Sequence, residues 1–313
     1  ISPEIFGALF QSVMNKEERR NLGAHYTSEQ NILKVINSLF LQELRDELAT
    51  IKTHKQVNMR AAKLDVFHDK IARLTFLDPA CGCGNFLVVA YRELRLLELE
   101  VIEQIQKDST QLIMDVSALI RCNVNQFYGI EIEEFPAQIA RVAMWLVDHQ
   151  MNLLVSDRFG MHYARIPLKQ SATILNANAL QTDWPVTDYI LGNPPFIGSK
   201  LIDKNQRVAF DGVMSVVPKS GVLDFVSAWY VKAAQLIKAN ADIRCALVST
   251  NSITQGEQVG ILWGWIFEQN LCIQFAHRTF QWQSAATGKA AVHCVIIGFG
   301  QDNTINKILF DYA

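Results

Sequence analysis

The sequence predicts an α/β fold: a doubly wound, mainly parallel sheet of seven strands with helices interleaved, preceded by an N-terminal helical segment. Three observations predict it. Short β-rich runs recur along the chain, each closed by a polar or glycine-containing turn and the first two followed by long helical patterns, which is the rhythm of βαβ units. The first run ends in an acid and a Gly-x-Gly turn over residues 78–84, as a strand does when its C-terminal edge approaches a ligand. Finally, 313 residues at 50% hydrophobic and 19% charged can bury one large core, far from the composition of a disordered or fibrous chain.

In chain order, Ile5, Leu9, Phe10 and Val13 form one apolar stripe at helical spacing, and Ile32, Leu33, Val35, Ile36, Leu39, Phe40 and Leu44 form another. Thr27 followed three residues later by Gln30 has the spacing of a capping box opening the second helix. Residues 45–70, rich in charge at Arg45, Asp46, Glu47, Lys52, Lys55, Arg60 and Lys63, suit an exposed helical connection. Residues 1–70 therefore read as a helical segment and 71–313 as the sheet domain. Strands are expected at 73–77, 127–132, 173–175, 189–191, 243–249, 272–276 and 292–299, with helices opening near Asn85 and Ala137. Residues 197–221 break this rhythm, with Gly198, Gly212, Pro218 and Gly221 as punctuation and Lys200, Lys204, Arg207 and Lys219 as charge. So long a connection inside a compact domain is either a functional loop or a plain solvated one.

Composition bounds the function. With 29 Lys+Arg against 31 Asp+Glu the formal net charge is −2, which argues against a chain whose whole surface grips nucleic acid. The longest apolar runs, at 225–231 and 291–299, fall far short of the roughly 20 residues that a bilayer span needs, so no membrane segment is expected. No basic-then-apolar leader follows Ile1, and a cytoplasmic protein is expected. Cys81, Cys83, Cys122, Cys245, Cys272 and Cys294 are scattered without a CxxC pair and read as reduced and buried. His25, His149 and His277 are isolated, and no metal site is expected.

Three motifs carry chemistry. In Leu77-Asp78-Pro79-Ala80-Cys81-Gly82-Cys83-Gly84-Asn85 a strand runs into a glycine turn before a helix; it is not the GxGxxG dinucleotide fingerprint, and alone it is also what a structural turn looks like. Gly129-Ile130-Glu131-Ile132 places an acid at the tip of the next strand, where a carboxylate can accept both hydroxyls of a ribose or simply face water. Gly192-Asn193-Pro194-Pro195-Phe196 follows a third strand. Its two prolines fix φ and remove two donors, so the turn presents carbonyl oxygens, the Asn193 amide and an aromatic face. That suits an amino group on a flat ring: the Asn193 side-chain oxygen and the Pro194 carbonyl take its two hydrogens while Phe196 covers the ring.

In this order and spacing the motifs resemble the amino-group DNA methyltransferases that use S-adenosylmethionine, over nearly all of the chain. The resemblance places a methionine-binding motif at residues 23–28, with Tyr26 and Thr27 as cofactor contacts. It assigns Asp78, Pro79, Ala80, Cys81, Gly82 and Asn85 to the glycine turn's share of the cofactor, Glu131 and Ile132 to the second strand's, and Asn178 and Ala179 to its adenine. Asp224-Phe225 falls at a later cofactor-proximal motif. Asn193, Pro194, Pro195 and Phe196 become the catalytic turn, and Phe280, in preference to Trp282, the second aromatic for an extruded base. Cofactor motifs preceding Asn-Pro-Pro-Phe, with the methionine motif at the N-terminus, are the gamma arrangement of adenine methylases. The strings LGAHYTS, LDPACGCGNFL, GIEIEEFPAQIARVAMWL and LGNPPFIGSK are similar to those of MmeI-like single-chain restriction–modification enzymes.

This resemblance implies a class I, Rossmann-like methyltransferase that moves a methyl group to the exocyclic amino group of an adenine flipped out of duplex DNA, leaving S-adenosylhomocysteine. It implies a recognition domain outside the chain, leaves room for a fused endonuclease, and makes Lys200, Lys204 and Arg207 the local DNA-proximal cations. Two departures stand out: Cys83 replaces a common serine, and Asn178 replaces a common aspartate, keeping an acceptor oxygen without its charge. An Asn-Pro-Pro-aromatic turn also serves methylation of a protein glutamine or an RNA adenine, and a non-catalytic cofactor-binding module would keep the first two motifs. A dehydrogenase is disfavoured by the missing dinucleotide fingerprint.

Overall fold

The apolar stripe through Ile32, Val35 and Ile36 forms α1 (Glu29–Ile36) in the computed structural model, which describes residues 27–109, 116–160, 171–282, 292–302, 304 and 306–312. The stripe at 5–13 and Tyr26 lie outside the described residues. A π-helical stretch at Asn37–Leu41 follows and buries three consecutive residues, Leu39, Phe40 and Leu41, before α2 (Gln42–Lys52). The expected capping box at Thr27 does not form. Ser28 is the N-cap of α1, without a side-chain bond, and the Thr27 hydroxyl is engaged elsewhere.

Residues 45–70 are not merely an exposed connection. They make most of α2 and α3 (Val57–Arg73), and Leu48, Ile51, Leu64, Phe67 and His68 are buried. Charge dominates the composition there, but it sits on the outer faces of two amphipathic helices whose apolar faces join the same core as Phe76 of the sheet.

The sheet has eight strands rather than seven, in the order β3-β2-β1-β4-β5-β7-β6-β8. These are β1 (Phe76–Asp78), β2 (Phe127–Glu131), β3 (Thr173–Asn176), β4 (Tyr189–Gly192), β5 (Arg244–Thr250), β6 (Cys272–Trp282), β7 (Val292–Gly300) and β8 (Ile308–Phe310). The first five pair in parallel; β7 runs antiparallel between β5 and β6, and β8 joins β6 at the edge in parallel. The eighth strand spans three residues and is largely exposed, so no alternation of polarity marks it in the sequence.

Strand alternation splits the core. Phe76, Phe127 and Leu191 face one side, under α1–α3 with α4 (Asn85–Asp108) and α5 (Glu134–Phe159). Leu77, Ile130 and Ile190 face the other, under α6 (Lys204–Met214) and α7 (Ser227–Ala239). Across the first side Phe127, Phe76 and Tyr189 stack in register, with centroids 4.7 and 5.5 Å apart, and Phe40 tilts onto the row at 5.0 Å. The connection at 197–221 is also more ordered than its glycines indicate. It carries α6, opened by a capping box in which Asp203 accepts from Gln206 N–H and the Gln206 side chain accepts from Asp203 N–H.

A polar network lies wholly inside the helical layer. Arg95 is fully buried, pairs with Glu98 at 3.1 Å and Asp148 at 3.3 Å, and donates to Tyr91 Oη at 2.7 Å. Glu98 also accepts from the backbone N–H groups of Arg121 and Cys122 and pairs with His68 at 3.0 Å. The network ties α3, α4, α5 and the segment entering β2 into one arrangement. Removing its cation leaves buried carboxylates unpaired, so Arg95→Leu is expected to cost about 3–5 kcal/mol. Urea unfolding checks this, and an unchanged midpoint would dismiss the network as a determinant of stability.

Candidate cofactor and catalytic site

Strand order reverses between β1 and β4, and an open α/β sheet leaves a crevice at the C-terminal ends of the strands on either side of such a reversal. A cavity of about 680 Å³ opens there. Asp78 ends β1, Glu131 ends β2, Asn178 follows β3 and Asn193 follows β4, and all four line it.

The glycine turn is held by the two acids. Asp78 Oδ1 accepts from Ala80 N–H at 3.0 Å, Glu131 Oε2 from Gly82 N–H at 2.9 Å, and Glu131 Oε1 from Glu133 N–H at 2.9 Å. Gly82 and Gly84 have φ of +53° and +84°, a region that strains any side chain, and a Cβ on Gly84 would lie 3.1 Å from Ala140 Cβ. That glycine is what lets the start of α4 press against α5. The Trp229 indole of α7 donates to the Pro79 carbonyl at 3.1 Å from the other side of the sheet.

Burial sets the electrostatics of this floor. Asp78 is 1% exposed, and desolvation, with Glu131 close by, pushes its carboxyl up to about 8, against the pull of the Ala80 N–H. Burial also raises Glu131 above the ordinary carboxylate range. A site that resists negative charge in this way gains most from a ligand that brings a positive one. Cys81 and Cys83 are pushed up by burial, the latter to about 12, so both thiols stay protonated.

At the other wall, Asn193 Nδ2 donates to Thr27 Oγ1 at 3.1 Å, while Asn193 Oδ1 is buried with no hydrogen-bond partner. Buried acceptors are ordinarily satisfied, and an orphan lining a cavity marks a place for an incoming donor. Asn178 lines the same cavity. Its Oδ1 accepts from Leu180 N–H at 3.0 Å and closes a local turn. That turn is fastened from α7 by Lys232, which donates to the carbonyls of Ala179 and Thr182, and by Trp184 Nε1, which donates to Ala179 at 2.8 Å.

The family model described as "MmeI, DNA-methyltransferase domain" matches residues 53–311. The chain belongs to the MmeI DNA-methyltransferase domain family. The solved structure of the Type IIL restriction-modification enzyme MmeI in complex with DNA is 55% identical to it, with a TM-score of 0.93 over all of this chain and 42% of that one. DNA methyltransferase A of Bacillus subtilis (strain 168) is 38% identical over 322 residues, which cover 99% of this chain and 35% of the relative. The DrdV–DNA complex, at 15% identity and a TM-score of 0.57 over 99% of this chain and 30% of that one, shares the fold. This MmeI-family chain thus spans under half the length of these relatives. Among its described residues no helix is long and apolar enough to cross a membrane, and no group of three or more metal-ligating side chains occurs.

Of the residues singled out in the sequence, Thr27, Asp78, Pro79, Ala80, Cys81, Gly82, Asn85, Glu131, Ile132, Asn178, Ala179, Asn193 and Pro195 line the cavity of this MmeI-family domain. Pro194 is buried beneath the turn, and Phe196 is half-buried against both cores. Phe280 is not among the lining residues: its ring is 8% exposed, with Lys34 Nζ 4.3 Å from its centroid and Tyr312 packed at 5.5 Å. Lys200 and Lys204 are exposed beyond the cavity, whereas Arg207 turns inward to the Ser199 carbonyl at 2.8 Å. Phe225, from the expected cofactor-proximal motif, lines it too, and Asn205, Gln206 and Trp229 do so without having been singled out; Trp229 lies in an apolar run indistinguishable from core by composition.

Gly129 tests the packing of this floor, because a Cβ there would lie 2.8 Å from both Cys81 Sγ and Ile174 Cδ1. Gly129→Ala is expected to destabilise by about 1–3 kcal/mol and to speed the reaction of a thiol reagent with Cys81. Alkylation followed by peptide mapping reads the second effect, and an unaltered Cys81 rate would contradict the tight contact.

Proposed function

We propose that this chain carries the catalytic core of an S-adenosylmethionine-dependent, adenine-specific DNA methyltransferase, the modification part of a restriction–modification enzyme. One observation carries the reading: the buried, partnerless Oδ1 belongs to Asn193, a residue on the wall of a cavity that also holds the buried Asp78 and the partly buried Glu131. Membership of a DNA-methyltransferase domain family, and a close relative solved in complex with DNA, support it.

The residues present fit the cofactor. Glu131 keeps free lone pairs after its two backbone bonds and would accept the ribose hydroxyls. Ile132 and the 178–180 turn would flank the adenine, and Asp78 and Thr27, with Tyr26, the methionine end. S-adenosylmethionine, when bound there, supplies a methyl group activated on a sulfonium whose departing thioether is neutral.

The chain's own work is on the acceptor. An adenine amino nitrogen is a poor nucleophile because its lone pair is delocalised into the ring. Asn193 Oδ1 would accept one amino hydrogen and the Pro194 carbonyl the other, favouring a pyramidal nitrogen with its lone pair directed along the line of attack. Proline at 194 and 195 keeps competing N–H donors out of this acceptor site. The exposed part of Phe196 offers a face to the base, which must leave the duplex at a cost of a few kcal/mol. Stacking on Phe280 would require Lys34 and Tyr312 to uncover its ring. The surplus proton of the methylated nitrogen is acidic and passes to solvent, so no dedicated base is needed. Duplex DNA would be gripped mainly by a recognition domain outside this chain, given the net charge of −2, with Lys200 and Lys204 as local contacts and room for a fused endonuclease.

Labelled S-adenosylmethionine and duplex DNA test the reading on the full-length protein. Asn193→Ala is expected to lower transfer by at least about 10²-fold, and an unchanged rate would overturn the mechanism. Label appearing in a protein glutamine or in RNA instead would assign the site to those acceptors. The floor makes a second prediction. Asp78 is neutral below about 8 in the free protein, and a bound sulfonium favours its ionised form, so cofactor affinity is expected to rise with pH up to that value with release of a proton. Calorimetry in buffers of different ionisation enthalpy measures the proton, and Asp78→Asn should abolish the rise.

A further inference from the structure

We infer that Thr27 is the positioning residue for the Asn193 amide, anchoring its Nδ2 so that the side chain stays in the wall with Oδ1 left for the acceptor nitrogen. The inference rests on the proposed methyltransferase reading but goes beyond it, since that reading gives Thr27 only a contact with the cofactor.

A primary amide has two orientations of nearly identical shape, 180° apart, and only one of them is useful here. With Oδ1 toward the cavity, Asn193 accepts from an amino group. With Nδ2 there, two N–H groups would confront the amino hydrogens and repel them. Proline neighbours on the C-terminal side supply no backbone N–H at 194 or 195 to hold the oxygen. The hydrogen bond that the structure gives the Asn193 side chain is to Thr27 Oγ1, at 3.1 Å, and it engages Nδ2. Thr27 is 4% exposed, so water does not readily substitute for it.

Burial gives the bond its direction. Turning the amide over would place two hydrogens at the dry position that Oδ1 now occupies alone. A hydroxyl can accept from Nδ2 or donate to Oδ1, so the choice between the two orientations comes from burial: orphaned buried N–H groups are rarer in proteins than under-satisfied oxygens, and the orientation seen is the less costly one. Take that hydroxyl away and both ends of the amide lack partners. The side chain is then unanchored and free to rotate out of the wall. Thr27 and Asp78 both line the cavity. The acceptor site and the expected methionine end of the cofactor therefore share one residue.

The test uses the full-length protein, labelled S-adenosylmethionine and three acceptors: duplex DNA, RNA and protein. S-adenosylhomocysteine is titrated calorimetrically in parallel. Thr27→Val, which keeps the shape and removes the hydroxyl, is expected to lower kcat by about 10²-fold, the scale of a misplaced catalytic group. A urea-unfolding midpoint near that of the parent shows that the variant is folded, and kcat is read at saturating S-adenosylmethionine because Thr27 is also a cofactor contact in the proposed site. Thr27→Ser restores the hydroxyl and is expected to recover most of kcat. Parental kcat in Thr27→Val overturns the inference. So does a loss confined to S-adenosylhomocysteine affinity and KM, which would make Thr27 a cofactor contact alone. If the parent transfers label to RNA or protein and not to DNA, the DNA reading falls while the Thr27 series is scored on that acceptor. If it transfers to none, both fall.

Discussion

A parallel sheet built from right-handed crossovers grows in one direction until the chain returns to the first strand and starts on its other side. In this protein the return is made by β4, which pairs with β1 after β2 and β3 have been laid down on the opposite flank. Crossovers on the two sides of β1 cover opposite faces of the sheet, so no helix roofs the strand ends between them. Everything specific about the site follows from that gap. The glycine turn after β1, the acid of β2 and the proline turn after β4 meet there because their strands are neighbours, although 115 residues separate Asp78 from Asn193.

The aromatic row and the helical network protect this geometry rather than take part in it. Phe127, Phe76 and Tyr189 fix the register of the three strands that carry the floor, since a slip of one residue would turn their rings to the opposite face. Behind them, the buried Arg95 cluster prevents α4 and α5 from sliding past one another. Gly84, pressed on Ala140, converts that rigidity into the position of the turn. The floor can therefore hold two carboxyls that would be easier to accommodate in water.

How much of this was legible in the sequence depended on how local each feature is. Strand positions, the acids at their tips and the proline turn were readable, because each is a few consecutive residues. Helix α6 is written in the sequence by Asp203 with Gln206 three residues on, a capping box, but Gly212 and Pro218 punctuate the same segment as a loop would. The buried faces of α2 and α3 were hidden beneath their surface charge. β8 gave no signal, because three residues at an exposed edge need no pattern. Contacts across the fold were the least visible. Nothing near Trp229 says that its indole supports the Pro79 carbonyl, and nothing near Asn178 says that its oxygen is taken by Leu180. Phe280 shows the converse: a motif match locates a residue along the chain but does not reveal what packs on it.

The bond between Thr27 and Asn193 joins residues 166 positions apart. On a ribosome adding about 5–20 residues per second, the hydroxyl emerges roughly ten to thirty seconds before its amide partner. Throughout that interval the nascent chain holds the glycine turn and the first acids without the group that would engage a base. Closing so long a loop also carries an entropic penalty that only the packed sheet between its ends can offset. Assembly of the acceptor site is thus a late event in the life of each molecule, and a chain that stalls partway through synthesis has half a site and no chemistry.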